Sequence, residues 1–131
     1  MNNVALLAVF IGGGLGSVLR FFITFFMTKV FPYPFPYGNL TANFLGCFTI
    51  GILMAIFTHK IDNQEIKLFF TTGMMGGLTT FSTFSYESVN LLKGDSFIKG
   101  ISYISASLFG CLLLSFIGFR LSLFIMGNFK L

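Results

Sequence analysis

Charge is what this sequence has least of. Only 9% of its 131 residues are Asp, Glu, Lys or Arg, whereas a soluble domain carries about 25%. That scarcity excludes an ordinary water-soluble fold. There is no Trp, one His, two Cys and three Pro. Cys47 and Cys111 lie in apolar runs with no CxxC spacing and no neighbouring His, so metal and redox motifs lack their ligands and the pair reads as buried free thiols. His59, Asp62, Glu65 and Asp95 fall between the apolar runs, without a paired base, nucleophile or metal-ligand spacing. Enzyme chemistry finds no footing there. The formal charge of +4 comes from eight Lys and Arg scattered singly. No basic cluster can line up on phosphates, which excludes nucleic acid as a partner and leaves membrane-edge residues.

What is abundant is apolar bulk: 55% of the chain is hydrophobic, twenty residues are Phe, and the mean hydropathy is +0.89. An apolar helix needs about 20 residues to cross a bilayer. Four such runs occur, at 4–27, 37–58, 68–92 and 98–126, within one domain of residues 1–131. Lys29 and the Pro32, Pro34, Pro36 cluster close the first, and His59, Lys60, Asp62 and Glu65 the second. The first run lacks the basic leader and Ala-x-Ala site of a signal peptide, so it counts as a span. The expected fold is an all-α integral membrane protein of four transmembrane helices.

Four spans put both termini on one side, where Lys60, Lys67 and Lys130 lie; Lys29, Lys93 and Lys99 lie on the other, and Arg20 and Arg120 add one to each. The positive-inside count is a tie. It is met equally by a weakly determined single topology and by insertion in both directions as an antiparallel homodimer. Four short helices enclose little space for a pore, which favours the dimer.

The third span breaks the rule that polar side chains stay at membrane edges. From Thr71 it reads TTGMMGGLTTFSTFSYE, with Gly73, Gly76 and Gly77 just ahead of the hydroxyl cluster. We expect this helix to be broken near mid-membrane, its free carbonyls suited to a cation and the amide ends of the following half-helix to an anion. A continuous helix with hydroxyls bonded back to the preceding turn is the other reading. Phe81 and Phe84 share a helical face, either packing or presenting positive ring edges to an anion. Asn43 in the second span needs a partner for its amide. Tyr103, Ser107 and Cys111 at i, i+4 and i+8 make a stripe on the fourth, either interhelical glue or a polar track. The first span carries Gly12, Gly13, Gly14 and Gly16, then Arg20, which either snorkels to the membrane edge or lends positive potential to a vestibule.

GGGLGSVLR at 12–20, NFLG at 43–46 and GMMGGLTTFSTFSYE at 73–87 together resemble the Fluc (CrcB) fluoride channel family over essentially the whole chain. The third motif is the specific one. The resemblance implies a fluoride-selective channel in the bacterial inner membrane that lets fluoride leave the cell passively and so protects against its toxicity. It also implies a dual-topology antiparallel homodimer embedded in lipid, with two pores and a structural Na+ at the dimer centre. Residue by residue, Gly76 and Thr79 would offer carbonyls to sodium, Phe81 and Phe84 their ring edges to the pore, and Asn43 a hydrogen bond to fluoride. Ser82, Thr83, Tyr103 and Ser107 would form the hydroxyl track, with Arg20 at the vestibule. The thiol of Cys111 is a poor donor for such a track. Residues alone reach only a polar-lined conduit for small ions. The rival of another class is a small four-helix proton-coupled multidrug-type exporter, for which Glu87 is the one acid within a span; a third is a structural subunit of a larger complex.

Overall fold

The structure is a computed structural model that describes residues 3–31, 35–94 and 97–127. Pro32, Pro34, Asp95 and Lys130, invoked above, lie outside the described residues. All regular structure among the described residues is helical. Helix α1 spans Asn3–Val30, α2 Tyr37–His59, α3 Gln64–Leu68, α4 Gly76–Leu78, α5 Phe81–Lys93 and α6 Phe97–Ile125, with wide π-helical turns at Phe69–Met75 joining α3 to α4. Helices α1, α2 and α6 are each long and apolar enough to cross a membrane.

The segment from α3 to α5 differs from the uniform run at 68–92. It begins earlier, at Gln64, because the Asn63 side chain accepts a hydrogen bond from the Ile66 amide at 2.8 Å and caps α3. The helical ladder then widens at Phe69–Met75, where the Thr71 hydroxyl donates to the Lys67 carbonyl at 2.8 Å. Helix α4 ends at Thr79 (φ −87°, ψ 152°), and Thr80 (φ −148°, ψ 120°) is extended too before α5 begins. The Thr80 hydroxyl caps α5 by accepting from the Thr83 amide at 3.3 Å.

Packing is inverted relative to a soluble domain. The buried cluster is Ala42, Met75 and Leu78, with Ile23, Ile50, Leu53 and Met74 against it. Large side chains such as Phe10, Phe21, Phe109 and Phe124 face outward, as a lipid-facing surface requires. Small residues carry the contacts between helices. A Cβ on Gly12 would strike the Phe69 carbonyl and one on Gly16 the Met74 carbonyl, so α1 lies directly on the backbone of the widened turns. Helices α2 and α6 meet as closely, through Gly51 against the Ser115 carbonyl and Gly118 against the Phe48 carbonyl.

These contacts are backbone on both sides and cannot give way. Gly51→Ala is therefore expected to destabilise the protein by about 1–3 kcal/mol through overpacking. Gly14→Ala, where the added Cβ meets nothing within 4 Å, leaves stability unchanged or slightly raised. Thermal midpoints of the two variants in detergent check this difference.

Candidate ion site at the α4–α5 interruption

The residues singled out in the sequence divide into three groups around Thr79 and Thr80. The first is the interruption itself. Asn43, buried on α2, faces it and pairs with both polar groups of the Thr80 peptide: Oδ1 accepts from the amide at 2.9 Å, and Nδ2 donates to the carbonyl at 3.4 Å. In a continuous helix the Thr80 and Thr83 amides would bond the carbonyls of Gly76 and Thr79. They go instead to Asn43 Oδ1 and Thr80 Oγ1. Thr79 turns both its amide and its hydroxyl to the Met75 carbonyl, at 2.9 and 2.8 Å. Gly76 is exposed, with open space where a Cβ would be. Arg20 reaches this place from α1, its Nε donating to the Gly77 carbonyl at 3.1 Å. A cation is well placed there, because helical carbonyls end in partial negative charge.

The second group surrounds a cavity of about 260 Å³ at the N-terminal end of α5, lined by Asn43, Phe81, Phe84, Ser107 and the two cysteines. Phe81 and Phe84 have ring centroids 5.4 Å apart, tilted by 46°. The Phe81 ring is 79% exposed on the outside of the chain. Ser107 is buried and its hydroxyl oxygen meets no hydrogen-bond partner among the described residues. Ser82, exposed, and Thr83, half-buried, stand beside the cavity with oxygens 3.2 and 3.1 Å from Thr80 Oγ1. Cys111 completes the stripe on α6 and lines the cavity beside Cys47.

The third group centres on Glu87. It sits midway along α5 and lines a second cavity of about 380 Å³ with Tyr37, Asn39 and Tyr86. The Tyr103 hydroxyl donates to Glu87 Oε2 at 2.7 Å, and the Asn39 side-chain amide donates to Oε1. Tyr103 has no exposed surface and its ring lies 5.5 Å from that of Phe84 and 5.6 Å from that of Phe35. It thus touches lining residues of both cavities, Phe84 of one and Phe35 and Glu87 of the other. Asn39 is the residue that sequence reasoning missed. Its signal was its place four residues before Asn43, one turn along the same face of α2.

The first cavity offers neutral donors and ring edges, and no acid or base is among its lining residues. Such a lining suits a small ion that must shed water without being held by a full opposite charge. No group of three or more His, Cys, Asp or Glu that could hold a metal occurs among the described residues. A hard cation at the interruption would therefore be held by backbone oxygen. The carbonyls of Gly76 and Thr79 fit that demand in type, since neutral oxygens suit a hard cation and their helical donors bond elsewhere.

Substitutions at Asn43 separate its two roles. Asn43→Ala strands the Thr80 amide and is expected to cost about 1–3 kcal/mol. Asn43→Asp still accepts from that amide, and should retain more of the thermal midpoint than the alanine variant while losing the donor toward the cavity.

Comparison with known proteins agrees with this geometry. Residues 7–119 match the family model described as CrcB-like protein, Camphor Resistance (CrcB). A protein of Clostridium perfringens named fluoride-specific ion channel FluC is 48% identical over 109 residues, covering 82% of this chain and 84% of its own. Proteins of the same name from Serratia proteamaculans and Shewanella halifaxensis are 44% and 39% identical over 125 and 121 residues. They cover 95% and 92% of this chain, and 98% and 96% of their own length. The chain belongs to the CrcB family.

Proposed function

We propose that the protein is a fluoride-selective ion channel, not an enzyme, that lets fluoride leave the cell passively and so protects against fluoride toxicity. The observation that carries this reading is the gathering of Asn43, Phe81, Phe84 and Ser107 around one uncharged cavity at the head of α5, in a chain whose relatives are named fluoride-specific channels. Fluoride is small and strongly hydrated, so it needs several donors at once. The Asn43 amide and the unpartnered Ser107 hydroxyl supply two, and Ser82, Thr83 and Tyr103 continue the hydroxyl series. Phe81 and Phe84 add ring edges, whose weak positive potential admits an anion without trapping it. Arg20, bonded to the Gly77 carbonyl, adds positive potential as a vestibule residue.

In this reading residues 1–131 form a single multi-pass domain of the bacterial inner membrane, surrounded by lipid. Helices α1, α2 and α6 make three crossings, and the segment from α3 to α5 the fourth, broken at mid-membrane by Thr79 and Thr80. Exposure of Phe81, Ser82 and Gly76 on one chain supports a homodimer in which a second copy closes the pores. The tied count of Lys and Arg supports antiparallel, dual-topology insertion. At the dimer centre Na+ would be held by the Gly76 and Thr79 carbonyls, as a structural charge and not a permeating one. The proton-coupled exporter has no support in the relatives' names, and Glu87, its one candidate carrier, is engaged by Tyr103 and Asn39.

Fluoride efflux from liposomes, followed with a fluoride electrode alongside chloride, tests the reading. Fluoride is expected to leave rapidly while chloride is retained. Phe81→Ile, which removes a ring edge worth about 1 kcal/mol, should slow efflux roughly fivefold. Glu87→Gln should leave passive flow largely intact, whereas its abolition would favour the exporter. Replacement of sodium by a bulky organic cation throughout purification should lower the thermal midpoint, and an unchanged midpoint would remove sodium from the structure.

A further inference from the structure

The uncharged cavity has one feature that conduction of fluoride does not use. Cys47 of α2 and Cys111 of α6 both line it, next to Asn43, Phe81, Phe84 and Ser107. Both thiols are free and half-buried, and they line this one cavity from neighbouring helices. The interface between those helices is rigid, because the glycine contacts at Gly51 and Gly118 press the two backbones together. The two cysteines are therefore held beside the same cavity by packing and not by flexible loops.

Two thiols so placed are a ligand pair. Thiolate sulfur selects soft cations, and the absence of any third His, Cys, Asp or Glu beside them among the described residues excludes a tetrahedral protein-ligated zinc site. Soft d10 monovalent cations are content with two sulfurs in line. The neighbouring amide and hydroxyl of Asn43 and Ser107 are hard donors that would not compete for such an ion.

We propose that Cys47 and Cys111 form a two-coordinate site for a soft monovalent d10 cation, Cu(I) or Ag(I), and that filling it closes the ion path through this cavity. Closure rests on the channel reading above; the binding site does not. On binding, each thiol gives its proton to water, and the ion exchanges its solvent ligands for two sulfurs. No electron is transferred. The bis-thiolate product carries one net negative charge where the two thiols carried none. That charge stands in the wall of an otherwise uncharged cavity and repels an anion entering it.

Silver is the practical probe, used as the nitrate in chloride-free buffer. Calorimetric titration of the purified full chain in detergent is expected to find one tight silver ion per chain, lost in Cys47→Ser, Cys47→Ala and Cys111→Ser. Monodispersity of each variant on size-exclusion chromatography separates loss of ligand from loss of fold. In liposomes, silver should reduce fluoride efflux to the protein-free rate, excess dithiothreitol should restore it, and each cysteine variant should keep its own silver-free rate. Equal silver binding by the native chain and the serine variants would overturn the site. Tight binding lost in the variants but without effect on efflux would overturn closure. Absence of efflux before silver is added would overturn the channel reading instead, and calorimetry would still decide the site.

Discussion

A peptide group inside an apolar medium must find a hydrogen-bond partner, because an unsatisfied one costs several kcal/mol. The junction between α4 and α5 meets that demand with a side chain. Asn43 reproduces what a helical neighbour would have supplied, accepting from the Thr80 amide and donating toward its carbonyl. Thr80 does the same for α5 with its own hydroxyl. Once these two residues are in place, the ladder can stop for two extended residues without stranding the amides beyond it. The carbonyls behind it are then turned away from their helical donors, and the cavity in front of it is lined by groups that carry no charge. The cation-suited and anion-suited faces of the interruption are thus consequences of one bond pattern.

That pattern is held in register by close backbone contact. Gly12 and Gly16 let α1 rest on the turns ahead of α4, which brings Arg20 within reach of the Gly77 carbonyl. On the other side, a Cβ on Gly46 would collide with the Thr79 methyl, so this glycine admits the extended residue beside α2 while Asn43, almost one turn earlier, bonds the next. Side chains of ordinary size would push α1 and α2 outward and separate Asn43 from its peptide. The large residues are displaced to the outside, where lipid accepts them at no penalty. An interior of glycine with an exterior of Phe is what a fold requires when it cannot use the hydrophobic effect to draw helices together.

Much of this was legible in the sequence, because the constraints are local and severe. Apolar length marks α1, α2 and α6 to within a few residues; Lys29 and His59 stand at the ends of the first two, and α6 stops ahead of Gly127 at φ 71°. The cluster of hydroxyls after Gly76 and Gly77 marked the polar segment, and Asn43 had to have a partner. Less legible were features that depend on distance across the fold. Asn63 as a cap lay beyond the apolar run that defined the third span, so α3 begins four residues before it. The widening at Phe69–Met75 follows from packing against α1 and leaves no periodic signal. Glu87 stood out in the sequence as the one acid within a span, whereas its place between Asn39 and Tyr103 is set by how α5 lies on α2 and α6. Cys47 and Cys111, 64 residues apart, could be read only as separate thiols until α2 and α6 were seen to place both beside one cavity.

The two cavities divide the electrostatic work. Around Asn43 the lining residues are neutral, so an ion there is governed by the number and geometry of dipoles. Around Glu87 a carboxyl group is present, but both its oxygens accept hydrogen bonds, from Asn39 and from Tyr103. Those donors disperse its charge and fix its direction. Tyr103 belongs to both places, its ring against Phe84 and its hydroxyl on Glu87. A movement of that hydroxyl would alter the acid's environment and the packing of a cavity-lining ring together. In the proposed channel, an anion passing Tyr103 would exchange one set of donors for another without meeting a bare charge of either sign. That condition would favour an ion small enough to be satisfied by a few close donors over larger halides, whose weaker bonds would not compensate for moving Tyr103 away from Phe84.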